Sequence, residues 1–209
     1  GLDLNNGYDF ARLLDEVSEI KIPRIRFTTS NPWDFKEEVF EMIARKDNLM
    51  PYIHLPLQSG NNEVLRKMAR RNTAESYIEL VEKIRKHIPN CAISTDIIVG
   101  FPGETEEDFV KTLEAVSYCK FDSAFTFQYS KRPGTPAASF TDQVPSDVVS
   151  ERFARLLELQ NELAYQSNLA KVGLTEEILI EGMSKQQPGI YTGRTLSNHL
   201  VNRTYLRLT

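Results

Sequence analysis

The chain has 209 residues, of which 41% are hydrophobic and 26% charged, with a net charge of −4 at pH 7. That length suits one large domain or one and a half, and the composition is ordinary for a globular protein. No apolar run reaches the length of a membrane span, no signal peptide is visible at Gly1, and the acidic balance argues against a bulk polyanion binder.

Helical periodicity runs over about 8–20, with Phe10, Leu13, Leu14 and Val17 on one face. A short strand is expected at 24–29, stopped by Ser30-Asn31-Pro32, then a helix over 34–45 with Phe35, Val39 and Ile43 inward. A strand at 52–55 precedes a helical pair at 62–69 and 73–87, the second opened by Thr73 as a cap. Strand 92–99, helix 106–119 and strand 123–128 follow, and Thr105 with Asp108 resembles a helix-start cap. Alternating strands and helices argue for parallel βα units. Four such units do not close a barrel, so the body reads as an open sheet or part of a larger barrel.

After a Pro/Ser/Thr/Ala-rich loop at 133–145, a long helix begins at Ser146, with Val149, Phe153, Leu156, Leu157 and Leu163 inward and Gly173 as its stop. The pattern then changes to β segments at 177–182, 189–195 and 199–208, the start of a small β module. No acidic residue follows Glu181, while Lys185, Arg194, Arg203 and Arg207 remain. A locally basic end on an acidic body fits a small nucleic-acid contact surface, and also fits chance.

Cys91 and Cys119 form neither a disulfide framework nor a metal motif, and His54, His87 and His199 show no ligand spacing. No metal site is expected, both cysteines read as small buried hydrophobes, and the compartment implied is reducing and cytoplasmic. The chain lacks an initiating Met and reads as a piece of a longer protein.

In parallel βα architectures the chemistry gathers at the C-terminal ends of the strands. Four clusters fall there: 28–31, 55–60, 100–104 and 128–132. All combine polar side chains with Pro, Gly or a basic pair, which suits a polar, extended ligand. No Ser/His/Asp or Cys/His set is legible, and the Gly100/Gly103 turn lacks the Lys-Ser/Thr of a P-loop. Asp96 is either a paired structural acid or a ligand contact, and His54 reads as a satisfied core histidine. A rim without base or nucleophile points to chemistry supplied by a cofactor.

Several long motifs, in order, resemble one family. Residues 24–32 resemble its third barrel strand, His54-Leu55-Pro56-Leu57-Gln58-Ser59-Gly60-Asn61 its fourth, and 96–109 its fifth. Residues 125–138 resemble its sixth strand and the loop after it, and Thr192-Gly193-Arg194-Thr195 with 198–202 resemble its C-terminal RNA-binding TRAM module. The family is the radical-SAM methylthiotransferases. Within it the chain is most similar to the MiaB type, which methylthiolates isopentenyl-adenosine beside the tRNA anticodon.

The resemblance implies the C-terminal part of a radical-SAM βα partial barrel at 1–172 and the start of an OB-like TRAM module at 173–209. It implies S-adenosylmethionine across the strand ends, and two [4Fe-4S] clusters in the parent protein whose cysteine ligands are not in this chain. Cofactor contacts would fall on Ser30, Gln58, Ser59, Asp96, Gly100, Gly103, Tyr129 and Ser130. Gln58 and Ser59 would meet the ribose or carboxylate, the Gly100–Gly103 turn would pass the adenine, and the backbone of Tyr129 and Ser130 would meet the adenine edge. Lys131, Arg132, Arg194 and Arg203 would meet phosphates of a tRNA anticodon stem-loop. The expected parent is a cytoplasmic monomer with no membrane contact; its catalytic residues and sulfur donor are not legible, and the fragment alone is expected to be inactive. The alternatives are a cluster-free RNA- or nucleotide-binding module, or a methylthiotransferase acting on threonylcarbamoyl-adenosine or a ribosomal protein. A TIM-barrel hydrolase or lyase is disfavoured by the missing acid–base residues.

Overall fold

The structure is a computed structural model that describes residues 8–28 and 31–203. Helix α1 (Phe10–Ser18) starts at Asp9, whose carboxylate accepts from the Arg12 N–H. A 3₁₀ turn at Pro32–Asp34 precedes α2 (Glu37–Arg45). The helix expected from residue 34 therefore begins later, because Phe35 takes an extended conformation after the proline-led turn. Strand β1 (Tyr52–His54), helices α3 (Asn62–Lys67) and α4 (Ala74–His87), strand β2 (Ala92–Val99), helix α5 (Glu106–Cys119) and strand β3 (Ser123–Gln128) complete the body. Thr73 with Ser76, and Thr105 with Asp108, form reciprocal capping boxes that fix the starts of α4 and α5.

The three strands form a parallel sheet in the order β1-β2-β3, with His54 beside Ser94 and Asp96 beside Phe125. Of the strand expected at 24–29, residue 29 lies outside the described residues, and over 24–28 it is reduced to one bridge, Ile25 to Leu49. Its arginines turn elsewhere, as described below. One face of the sheet is buried under the helices, with Ile53, Ile93, Ile97 and Val99 at 0% exposure beside Val81, Ile84, Phe109 and Val116.

The long helix α6 (Ser146–Leu169) packs along this body. Val149 and Leu156 are buried as expected, but Leu157 is exposed. Arg152 and Gln160 are buried in addition, because each has polar partners inside: Arg152 meets Glu104, and Gln160 Nε2 donates to the Phe121 carbonyl at 3.0 Å. Gly173, at φ +88°, lies in the turn after α6 rather than at the helix end.

Strands β4 (Ile178–Met183), β5 (Tyr191–Thr195) and β6 (Leu200–Arg203) form a separate antiparallel meander, bulged between Ile180 and Gly182. Two arginines from the Ile25 segment bind this module through its main chain. Arg24 donates to the Arg194 carbonyl at 2.8 Å and pairs with Glu177, and Arg26 donates to the Thr195 carbonyl at 2.7 Å. A third link joins Asp122, just before β3, to Ser167 at 2.7 Å, with His199 at 3.6 Å. Among the described residues, no helix is long and apolar enough to cross a membrane.

Candidate functional site

The rim begins where β1 leaves its ladder. Leu55 N–H still donates to the Ser94 carbonyl, but Pro56 has no N–H and Leu57 N–H donates to the Thr95 hydroxyl instead. The chain rejoins β2 at Gln58, whose N–H donates to Asp96 and whose carbonyl accepts from Ile98. This bulge forces Gln58 to φ +69°, a left-handed conformation unusual for a non-glycine residue and typical of functional turns. Tyr77 pins the bulge from behind: its hydroxyl, pushed well above its ordinary pKa by burial, donates to the Leu55 carbonyl at 2.6 Å. The Gln58 side-chain amide makes no hydrogen bond among the described residues.

Ser59 is fully buried, and its hydroxyl is shared between Thr112 and the Asn61 N–H. It holds the turn together with Gly60, where a Cβ would strike the backbone of α5 at Lys111. Ser30 lies outside the described residues.

The turn after β2 is closed by a buried ion pair that sequence reading missed. Glu104 Oε1 accepts from the Gly100 N–H at 3.1 Å and from Arg152 at 3.1 Å. Arg152 also donates to the Glu104 carbonyl and to Glu106. Burial pushes the Glu104 carboxyl above its ordinary value, against the Gly100 N–H and Arg152, which pull it down. The signal available was Glu104 itself, an acid directly after Gly103 that is too early to belong to the helix. Gly100 (φ +77°) and Gly103 (φ +76°) both need left-handed backbone, and a Cβ at Gly100 would strike Val149 of α6. The Gly103 N–H donates to the Asp142 carbonyl at 2.7 Å, which draws the loop after β3 against the turn.

β3 brings the third part. Tyr129 N–H donates to the Val99 carbonyl at 2.8 Å, and its ring meets Phe101 edge-on at 5.3 Å. The Tyr129 hydroxyl is buried with no partner. Beyond it the backbone leaves the ladder: the Tyr129 carbonyl and Ser130 N–H have no partner among the described residues. Ser130, Lys131 and Arg132 are exposed, and neither cation is paired among the described residues.

Asp96 faces away from the helices, on the open side of the sheet. A hydrogen-bonded row runs from the Tyr52 hydroxyl to Ser94 Oγ at 2.7 Å, to His54 Nδ1 at 2.9 Å, and from His54 Nε2 to Asp96 at 3.3 Å. Asp96 and His54 are thus each other's partners. Arg70, placed by the left-handed Ala69 at the end of α3, also acts on Asp96; its Nε is buried without a partner, and burial lowers its pKa against the attraction of Asp96.

The rim therefore brings together Gln58, Asp96, Gly100 and the backbone of Tyr129 and Ser130. It does not include Arg194. That residue pairs with Glu181 at 3.2 Å, and its carbonyl is held by Arg24, near the starts of the strands. Arg203 ends β6, and its side chain lies outside the described part of the structure. A cleft of about 740 Å³ lies at those strand starts, lined by Pro51, Cys91, Asp122, Ser167 and His199.

The cysteines do not fit an iron–sulfur cluster. Cys91 and Cys119 are buried at the end of the sheet opposite the rim, and burial pushes their thiols up to about 12 and about 11. The rim does fit a nucleotide: a free carboxamide, a carboxylate and unpaired backbone groups converge at the strand ends.

The chain is 51% identical over 195 residues to the tRNA-2-methylthio-N(6)-dimethylallyladenosine synthase of Halalkalibacterium halodurans, covering 93% of this chain and 36% of that protein. It is 52% identical over 203 residues to the synthase of the same name from Clostridium botulinum, covering 97% and 45%. The chain thus spans less than half the length of these curated relatives. Among solved structures it is similar to coproporphyrinogen III oxidase from Escherichia coli, a radical SAM enzyme, with a TM-score of 0.49 at 20% identity over 84% of this chain and 39% of that one. Residues 2–116, more than half of the chain, match the Radical SAM superfamily, and the chain belongs to that family.

Proposed function

We propose that this chain forms the S-adenosylmethionine-binding side of a tRNA methylthiotransferase acting on dimethylallyl-adenosine. The observation that carries the reading is the rim itself, where unpaired backbone at Tyr129 and Ser130 and the free Gln58 carboxamide flank the C-terminal end of β2 on its two sides. The names of its half-identical relatives support the substrate.

In this reading the Tyr129 carbonyl and Ser130 N–H take the adenine edge, and the Gln58 amide takes the ribose or the carboxylate. Ser59, Gly100 and Gly103 shape the two turns, and Asp96, held by His54, presents a carboxylate to the ligand's polar end. Ser30 would add a contact from the segment before α2. Bound S-adenosylmethionine supplies the methyl group and the deoxyadenosyl group. Two [4Fe-4S] clusters would be held by other parts of the complete protein, since the thiols of this chain cannot hold one.

Lys131 and Arg132 lie next to the rim, free to meet phosphate of the anticodon stem-loop. Arg194 and Arg203 would do so from the β4–β6 module, which we assign as the start of a TRAM module at 173–209, with 1–172 as the barrel part. The complete protein is a cytoplasmic monomer in this reading.

Isothermal titration of S-adenosylmethionine into the complete protein tests the rim. Wild-type binding should fall about fivefold to a hundredfold in Gln58→Ala and in Ser130→Pro, which removes the Ser130 N–H, as one hydrogen bond to a charged or buried partner is worth about 1–3 kcal/mol. Unchanged affinity in both variants sinks the assignment of the rim. The substrate is tested separately in the complete protein, by the mass gain of a methylthio group on prenylated but not unprenylated tRNA.

A further inference from the structure

At the end of the body opposite the rim, the seam between α2 and α4 carries a second group of ligand-type side chains. Glu37 and Glu41 sit one turn apart on α2, so both project from the same face. His87, in the last turn of α4, lies opposite them. The ligand atoms of the three lie within 4.8 Å of one another, the only such group among the described residues.

Hydrogen bonding decides which nitrogen of His87 is available. Nδ1 is 2.8 Å from the Lys83 carbonyl oxygen, which can only accept, so Nδ1 carries a proton. Nε2 faces Glu37 Oε1 at 3.4 Å, and the ring packs on Phe40 with centroids 5.0 Å apart. An imidazole that gives Nδ1–H to a backbone carbonyl and turns Nε2 toward carboxylates has the orientation of a metal ligand with its outer hydrogen bond already made. A simple imidazolium–carboxylate pair would use Glu37 alone. It leaves Glu41, half-buried and unpaired with any described lysine or arginine, without a role.

We propose that Glu37, Glu41 and His87 bind a divalent cation of the zinc class that ties α2 to α4, with water as the fourth ligand. One imidazole with two carboxylates suits zinc better than magnesium, which prefers an all-oxygen octahedral shell. The bound cation cancels the repulsion between the two glutamates and joins the first helical layer to the central one.

Titration of zinc chloride into the chelator-stripped chain, followed by calorimetry and by melting temperature, tests this. The expected result is one zinc per chain and a higher melting temperature with zinc. Glu41→Gln should weaken zinc affinity at least about tenfold without lowering the zinc-free melting temperature, since Glu41 has no partner to lose. His87→Ala should also abolish binding, but it removes the contact with Phe40, so Glu41→Gln is the deciding variant. Cobalt(II) in place of zinc should give d–d bands with no thiolate charge-transfer band. No zinc-dependent heat, equal affinity in Glu41→Gln, or a thiolate band overturns the proposal.

Discussion

The two faces of the parallel sheet differ in kind. Toward the helices, Ile53, Leu55, Ile93, Ile97 and Val99 are withdrawn from water. On the other side, the Tyr52–Ser94–His54–Asp96 row runs beside Phe125 and Phe127, which are 55% and 52% exposed. A strand alternates its side chains, so β2 serves both faces: Ile93, Ile97 and Val99 go to the core and Ser94 and Asp96 to the open side. In the proposed reading, stability and recognition are thereby divided residue by residue along one strand, and each can be altered without the other.

That division can be broken at several places. The largest effect is expected on the covered face: Ile97→Ala should cost about 3 kcal/mol, read as a lower urea midpoint at unchanged slope. A cost below about 1 kcal/mol would mean that the helices do not pack against the strand as described. A smaller effect, in acid, is expected from Asp122 at the strand starts. Burial pushes its carboxyl up, but the His199 imidazole, the Ser167 hydroxyl and the Ile93 N–H together hold it below the ordinary value. A lowered folded-state pKa means that its contribution is present above the unfolded value of about 3.9 and is lost as pH falls through the folded value. Asp122→Asn should therefore flatten the acid limb of a stability–pH curve, and an unchanged limb would remove Asp122 from the account. The smallest effect belongs to the open face: Phe127→Thr should change stability by no more than about 0.5 kcal/mol. A loss above about 2 kcal/mol would make that face structural.

Much of the body was legible because local rules and packing agree there. The apolar run Ile97-Ile98-Val99 in β2 and the caps at Thr73 and Thr105 mark elements whose neighbours want the same conformation. The strand expected at 24–29 is not formed over 24–28 because, among the described residues, it pairs only at Leu49. Pairing is a property of the partner, and no local propensity reports it. Leu157 was read as inward and is exposed, while Arg152 and Gln160 are buried. A helical wheel sorts by apolarity and cannot see a polar partner on another element. The segments 55–60, 100–104 and 128–132 do follow β1, β2 and β3, and the pairing of Asp96 with His54 fits one of its two open readings. The Gln58 bulge was not foreseen, since Pro56 marks a break in the ladder without saying where the chain returns. Glu104 was read as part of the rim cluster at 100–104, and its ion pair was not foreseen because its partner, Arg152, lies far along the sequence.

Arg24 and Arg26 hold the β4–β6 module chiefly by main-chain oxygens, those of Arg194 and Thr195. A carbonyl is the same group whatever side chain stands beside it. Mutation can therefore alter the side chains at 194 and 196 while these two contacts persist. The module can diversify in what it touches without losing its seat, and a new specificity there need not wait for a compensating change in the body.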